Sequence, residues 1–295
     1  MKLRAITSTF FEQPLTTGQI RKGIYITLET EDGHSAMGEA APLPSWSLET
    51  LPEVVAQFEK VRNKLLNIAW NKEKLTGNLL DLHLYPSLLF ALETALLELL
   101  DPIPPSEKLP SALLMGSKEE ILTQAALRAA EGYTFAKLKI SNLSFPSAKE
   151  VIEQLKSVFK LRIDVNRAWE PHQALDFFQQ FPLNAFDYVE EPFKDPRQLV
   201  LFTHPLAIDE SFPHFLTFAD LEKLPTLKTV VYKPTLQGGL SNCLPLLDWA
   251  RPRGIEIVLS SSFETKVGLK AISSLANRLG LSAPSGLGTS HFLHN

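Results

Sequence analysis

The sequence predicts an α/β protein in which a ring of parallel strand–helix units follows a smaller α+β domain. Three observations lead there. Short apolar strands alternate with amphipathic segments of helical length from residue 105 to residue 285; the first 104 residues are patterned differently; and successive strands of the later region end in carboxylates or lysines at nearly even spacing.

In the opening region, residues 1 to 40 alternate apolar and polar positions, as in Ile24-Tyr25-Ile26-Thr27-Leu28-Glu29, and turn at Glu31-Asp32-Gly33. Side chains of a strand repeat with period two, so this predicts an antiparallel meander. Pro42 and Pro44 mark a loop. From Ser47 the spacing becomes helical, with Leu51, Val54, Val55 and Phe58 on one face, and a second helix runs from Ser87 through Leu100. The breaker-rich run Asp101-Pro-Ile-Pro-Pro-Ser then changes the texture of the chain and sets a domain boundary. The division is an α+β domain over 1–104, a strand–helix domain over 105–285, and a tail over 286–295 free to pack back on the first domain.

Beyond the boundary, strands are expected at Ala112–Met115, Ala136–Ile140, Leu161–Val165, Tyr188–Glu190, Leu206–Ile208, Thr229–Tyr232 and Ile255–Leu259. Helices are expected at Glu119–Glu131, Ala148–Phe159, Leu240–Ala250 and Val267–Leu279. The last strand of the ring is the least marked, near Leu281. A succession of this kind makes a parallel sheet, either closed into a barrel or open and doubly wound.

Charge and composition narrow the function. The chain has 295 residues, 44% of them hydrophobic, and a formal charge of −4, which is the profile of an ordered globular protein. No basic run offers a footing for nucleic acid or an anionic membrane, and no stretch approaches the roughly 18 apolar residues of a membrane span. The N-terminus has no apolar core of the kind a signal peptide needs, so no leader is expected. One cysteine, Cys243, excludes an internal disulfide and suits the reducing cytoplasm. A small molecule is the expected ligand, with no nucleic acid or membrane as partner, and a monomer is compatible with these features.

Strand alternation puts Lys137 and Lys139 on the same face. The next three strands end in Asp164, Glu190 and Asp209, and the one after them in Lys233. Steps of 25, 26, 19 and 24 residues separate Lys139, Asp164, Glu190, Asp209 and Lys233, each close to one strand–helix unit. A closed barrel gathers such residues at its C-terminal mouth, whereas an open sheet splays them along an edge. Convergence therefore favours the barrel. Three hard oxygen donors suit Mg²⁺ or Mn²⁺ and leave positions for water and a substrate carboxylate; zinc would call for the histidine or cysteine that these positions lack.

A lone acidic residue at a strand end is ordinarily a helix cap or a solvated loop charge, and a Lys-x-Lys pair ordinarily lies on the surface. Three carboxylates in succession, opposite two lysines that flank Leu138 in an apolar strand, argue against that reading. Lys233, standing before a proline, would be a surface turn residue if it lay outside the series. Gly238-Gly239 fits a turn that opens a helix better than a phosphate loop.

With these residues in order, the chain resembles the enolase superfamily over nearly its whole length. Gly38-Glu-Ala-Ala-Pro-Leu-Pro, followed by Ser47-Leu-Glu-Thr-Leu, is similar to the loop and helix of that superfamily's capping domain. The Lys-x-Lys strand, Asp164-Val-Asn166, Glu-Glu-Pro, Asp-Glu-Ser and Lys-Pro follow in the family's order. Within the superfamily, the segments Leu161–Trp169 and Val258–Glu264 resemble the o-succinylbenzoate synthases of menaquinone biosynthesis. N-acylamino acid racemases, dipeptide epimerases and muconate cycloisomerases share the same frame. The resemblance implies an enolase-type modified (β/α) barrel under an N-terminal α+β capping domain.

It also implies a reaction, the loss of water from 2-succinyl-6-hydroxy-2,4-cyclohexadiene-1-carboxylate to give o-succinylbenzoate. The hard step is removing the proton beside a carboxylate, because the dianionic enolate is unstable in water. By resemblance, Mg²⁺ or Mn²⁺ held by Asp164, Glu190 and Asp209 counters that charge. A lysine with its ordinary pKa of about 10.4 would be a protonated spectator, but a second lysine and a dication nearby lower it. The resemblance makes Lys139 the base that also protonates the departing hydroxyl, Lys137 a stabiliser of the enolate, and Lys233 a cation over the ring. Arg162, on the strand face of Asp164, is expected to touch substrate or brace carboxylates. Asn166, Glu191 and Glu210 are expected to support the metal ligands from behind or to form ion pairs, and Ser260, Ser261 and Ser262 to bind the succinyl carboxylate. A racemase or epimerase would instead use Lys139 and Lys233 as bases on opposite faces of one carbon.

Overall fold

In the computed structural model, which describes residues 1–294, the N-terminal meander is a three-stranded antiparallel sheet of β1 (Leu3–Pro14), β2 (Ile20–Thr30) and β3 (Ser35–Ala40). Its period-two pattern buries Ile24, Ile26 and Leu28 on one face. Of α1 (Leu51–Leu66), α2 (Leu75–Leu80) and α3 (Pro86–Leu100), the first and third pack on the sheet and α2 packs on α3. Helix α1 begins where Glu53 reaches back to the Thr50 amide at 2.7 Å, and it buries Val54, Phe58, Val61 and Leu65 at helical spacing. Six residues are too few to display a period, which is why α2 is not anticipated from the sequence. Helix α3 is buried on all sides from Ser87 to Leu97 because it lies between this sheet and the strand–helix region.

Strand β3 approaches α3 so closely that a Cβ on Gly38 would stand 1.9 Å from the Ala91 carbonyl oxygen. A helix backbone cannot swing aside as a side chain can. Gly38→Ala is therefore expected to cost at least about 2 kcal/mol, in the upper part of the overpacking range. The loss would be read as a lower urea midpoint with secondary structure retained; an unchanged midpoint would mean that the two elements part freely.

From residue 112 onward seven parallel strands pair in chain order: β4 (Ala112–Leu114), β5 (Phe135–Lys139), β6 (Lys160–Asp164), β7 (Tyr188–Glu190), β8 (Leu206–Ile208), β9 (Leu227–Tyr232) and β10 (Glu256–Leu259). The intervening helices are α4 (Lys118–Ala130), α5 (Phe145–Leu155), α6 (Pro171–Phe178), α7 (Phe218–Leu221), α8 (Pro234–Gln237), α9 (Leu244–Ala250) and α10 (Lys266–Arg278). Alternation buries Ala136, Leu138, Leu161 and Ile163 on the helix side and turns Lys137, Lys139, Arg162 and Asp164 to the barrel interior.

The ring closes without a regular eighth strand. Ser111, just before β4, donates its amide to Ser285 at 2.8 Å, while Gly286 donates to Leu259 at 2.8 Å and accepts from the Ser261 amide at 3.0 Å. Residues 285–286 thus bridge β10 to β4. The closing element expected near Leu281 lies a few residues later, and it is too short to carry a strand pattern.

The outer layer is uneven. Only a 3₁₀ turn at Pro196–Leu201 separates β7 from β8, and α7 has four residues. Phenylalanines 177, 178, 181, 186 and 202 pack ring against ring there, filling volume that longer helices would occupy. The helix expected over Leu240–Ala250 starts later, at Leu244. The chain from Lys233 first makes α8, then breaks at Gly238 (φ 98°) and Gly239 (φ 64°). The tail returns to the first sheet, where Leu293 bridges Leu15 and Thr16 donates to Phe292 at 2.8 Å; Asn295 lies outside the described residues. Among the described residues no helix is long and apolar enough to cross a membrane.

Candidate active site

Register alone layers the barrel interior. Pairing across β5, β6 and β7 aligns Lys137, Arg162 and Tyr188 in one layer and sets Lys139, Asp164 and Glu190 in the next, toward the C-terminal mouth. Asp209 and Lys233 directly follow β8 and β9 at the same end. All of these groups meet. Lys137 Nζ bridges Glu190 Oε1 at 2.7 Å and Asp164 Oδ2 at 3.0 Å; Lys139 Nζ lies 3.3 Å from Asp164 Oδ2 and donates to Asn166 Oδ1 at 2.9 Å; Lys233 Nζ pairs with Asp209 Oδ2. Three lysine side chains thus face three acidic side chains that are almost wholly buried.

These charges control one another. Burial alone would lower Lys137, but Asp164, Glu190 and Asp209 outweigh it and hold the lysine well above its ordinary range. Burial would likewise lower Lys233, and Asp209 reverses the direction. Carboxylates dominate the surroundings of both lysines and set that direction; the fall expected from the sequence concerns the base and depends on a dication at the mouth. Burial pushes the carboxylates up, yet Lys137 and Lys139 bring Asp164 below its usual value and Lys233 does the same for Asp209. For Glu190 burial prevails, against Lys137 and with the help of Asp164, and it reaches about 8.

The residues beside this cluster hold its loops. Glu191 accepts from the Asp209 amide at 2.8 Å and from the Ser211 amide and hydroxyl at 2.9 and 2.6 Å, fixing the turn that carries Asp209. Asn166 donates its backbone N–H to Asp164 Oδ1 at 2.9 Å. Glu210 keeps a buried Oε2 without a hydrogen-bond partner, and burial reinforced by Asp209 and Glu191 pushes it to about 8. Ser45, Asn166, Arg167, Glu191 and Phe263 all hold a left-handed backbone, at φ of 68°, 47°, 56°, 45° and 61°. Strain of this kind, spread over loops that converge on one mouth, is characteristic of functional sites.

Arg162 departs from its expected place. Its Nε donates to Asp187 at 2.9 Å and its Nη1 to the Pro284 carbonyl at 2.7 Å, both before the strand starts at the opposite end of the barrel, and Phe135 and Tyr188 flank the guanidinium. The reason is electrostatic. The carboxylates at the mouth already face three lysines, whereas Asp187 draws Arg162 and Lys228 together. The strand face was legible, but the direction of a long side chain along it was not.

An inner cavity of about 180 Å³ opens above the cluster and is lined by Lys137, Lys139, Asn166, Lys233 and all three serines. Ser260 Oγ donates to the Gly286 carbonyl at 3.2 Å and Ser261 pairs with Thr289, while Ser262 Oγ is buried without a partner. Leu43 and Trp46 from the loop after β3 form part of its wall, and Lys233 Nζ lies 5.7 Å from the centre of the Trp46 ring. An outer cleft of about 660 Å³ adjoins it and is lined by Asp209, Glu210, Arg167 and Lys194. Sequence reasoning missed Leu43, Trp46 and Thr289. A tryptophan just past Pro42 and Pro44 was a usable signal for the loop; Thr289 offered none.

Residues 120–285 match the family described as Enolase C-terminal domain-like, and residues 11–99 the one described as MenC, N-terminal domain. The o-succinylbenzoate synthase of Vibrio cholerae serotype O1 (strain M66-2) is 31% identical, over 97% of this chain and 90% of that protein. The o-succinylbenzoate synthase of Haemophilus influenzae is also 31% identical, over 91% of this chain and 82% of that protein. Among solved structures, o-succinylbenzoate synthase from Thermosynechococcus elongatus BP-1, complexed with Mg in the active site, has a TM-score of 0.74 at 24% identity, covering 98% of this chain and 94% of that one. Dipeptide epimerase from Enterococcus faecalis V583 has a TM-score of 0.81 at 20% identity, covering 100% and 92%. At these identities the structural likenesses establish a shared fold.

Proposed function

The chain belongs to the o-succinylbenzoate synthase family within the enolase superfamily, and from that membership we propose that it dehydrates 2-succinyl-6-hydroxy-2,4-cyclohexadiene-1-carboxylate to o-succinylbenzoate, the carbon–oxygen lyase step of menaquinone biosynthesis. One observation carries the reading most directly. Lys139 and Lys233, from strands well apart in the ring, line a single cavity that opens above three strand-end carboxylates. The three-domain-segment division at residues 104 and 285 and a cytoplasmic setting, consistent with the lone buried Cys243, belong to the same proposal.

Asp164, Glu190 and Asp209 suit Mg²⁺, with Mn²⁺ as a substitute, because all are hard oxygen donors from neighbouring strands. Glu190 Oε2 is buried without a hydrogen-bond partner, and Asp164 Oδ2 has only the two lysine Nζ atoms at 3.0 and 3.3 Å. Among the described residues no three such groups already stand together as a metal cluster; Lys137 occupies the space between Asp164 and Glu190. Bound Mg²⁺ would offset the negative charge that builds on the substrate carboxylate as its neighbouring proton leaves.

The chain's own groups do the rest. Lys139, as the free amine, takes the proton from the ring carbon that bears the carboxylate. The electrons of that C–H bond become ring π electrons, the adjacent C–O bond breaks, and the proton on Lys139 leaves with the hydroxyl as water. Lys137 remains an ammonium beside the developing enolate. Lys233, braced by Asp209 and Trp46, presents a cation to the delocalised ring from across the cavity. Asn166 orients Lys139 and Glu191 holds the Asp209 turn, while Glu210 lines the outer cleft beside Asp209. The serine turn, with Ser262 Oγ unpartnered, receives the succinyl carboxylate. Arg162 braces the barrel floor rather than the substrate.

The metal assignment is tested by calorimetric titration. Asp209→Asn keeps the shape of the side chain but removes a charge, so Mg²⁺ affinity is expected to fall at least about tenfold with the secondary structure retained by circular dichroism. Wild-type affinity in the variant would remove Asp209 from the ligand set.

A further inference from the structure

Two walls of the inner cavity are tied together behind their lining. One wall is the loop after β3, which carries Leu43 and Trp46; the other is the Ser260–Phe263 turn after β10. Glu39, in β3, is fully buried and accepts from the Thr265 amide at 3.0 Å, the Thr265 hydroxyl at 2.6 Å and the Gly268 amide at 2.9 Å. Arg21, buried at the start of β2, donates to the Ala41 and Pro42 carbonyls on one wall and to the Phe263 carbonyl on the other, at 2.5, 2.9 and 3.2 Å. Glu264 joins the seam by accepting from the Ser262 amide at 2.7 Å.

The Gly268 amide belongs to the first turn of α10, where backbone donors have no partner inside the helix, and Thr265 is the residue that caps that turn. A carboxylate from another element that takes both fixes the position of the helix start as well as capping it. Glu39 lies four residues before Leu43, and Thr265 lies three residues after Ser262. Displacing the carboxylate therefore moves both walls. None of the strands that carry the lysines and carboxylates of the mouth contributes to this seam.

We propose that Glu39 is a positioning residue for substrate binding, setting the width of the cavity between the cap loop and the serine turn and thereby the length of side chain the site accepts. The proposal rests on the function argued above, since the succinyl chain is what those walls enclose. Its signature is a change in binding without a change in the chemical step. Three backbone and hydroxyl donors converge on Glu39, so a carboxamide there would turn an NH₂ group toward them.

The test compares wild type with Glu39→Gln, with Thr265→Val, which keeps the carboxylate but removes one donor, and with Val151→Ala, a truncation in the buried face of α5 that controls for lost stability. Both seam variants are expected to raise KM for the cyclohexadiene carboxylate about tenfold, with kcat within about threefold and Mg²⁺ affinity unchanged. Val151→Ala is expected to lower the melting temperature with KM unchanged. A KM within about twofold of wild type in both seam variants, with melting temperatures lowered as in the control, would make Glu39 merely structural and overturn the proposal. Should wild type not turn over this substrate, the function fails separately, and the positioning role is read from hydrogen exchange. The Ser261 and Ser262 amides are then expected to exchange at least about tenfold faster in Glu39→Gln, and unchanged exchange overturns the role.

Discussion

Lys139→Ala is expected to lower the rate of aromatic product formation by at least about a thousandfold, whereas Lys233→Ala lowers it by less. Elimination from one face of the ring needs a single base, and Lys139 is the lysine held at the cavity by Asn166 and Asp164. Lys233 supplies a cation that steadies the ring, and its removal also leaves the buried Asp209 without its partner. A racemase would need both amines, one on each face of the α-carbon. Following α-proton exchange in D₂O with N-acylamino acids alongside dehydration, with folding checked by circular dichroism, separates the two cases. Dehydration at a near wild-type rate in Lys139→Ala would take the base away from Lys139 and leave Lys137 or Lys233 to carry it. Equal loss of exchange in both variants, without dehydration in wild type, would favour the racemase.

Removal of the divalent cation should be as severe. Excess chelator is expected to abolish turnover, and added Mg²⁺ or Mn²⁺ to restore it. The electrostatics of the mouth give the reason. Without a dication, Lys137 and Lys233 are committed to the buried acidic groups beside them, which hold both firmly protonated. A dianionic substrate entering that arrangement finds no divalent charge to offset the one that builds on its own carboxylate. Full activity in excess chelator would contradict the assignment of the carboxylates as metal ligands.

Much of this site was legible in the sequence because barrel geometry converts spacing into convergence. Lys139, Asp164, Glu190, Asp209 and Lys233 sit at or just past strand ends, with Lys137 two residues earlier on the same face as Lys139, and a parallel ring brings such positions to one mouth whatever the intervening residues. Each of the seven strands is found within two residues of its expected bounds, since each is a short apolar run bounded by turn residues. Short or irregular elements were not legible. Helices α2 and α6 are too short for a clear period, the Gly238-Gly239 break displaced the start of a helix, and the bridge at residues 285–286 closes the barrel with only a few hydrogen bonds. Contacts between distant segments left still less trace. Nothing in the local sequence of Glu39 pairs it with Thr265, and nothing near Arg162 points it toward Asp187 instead of the mouth. Such partners are fixed by the packing of whole elements, which a local pattern does not encode.

If this barrel converts a cyclohexadiene carboxylate into an aromatic one by taking a proton and releasing water, the conversion is visible in the ultraviolet absorbance of wild-type protein mixed with 2-succinyl-6-hydroxy-2,4-cyclohexadiene-1-carboxylate and Mg²⁺. The diene band should be replaced by that of o-succinylbenzoate, with one equivalent of aromatic product for each substrate consumed. A diene spectrum that persists at the uncatalysed rate, with the protein folded and Mg²⁺ bound, would contradict it.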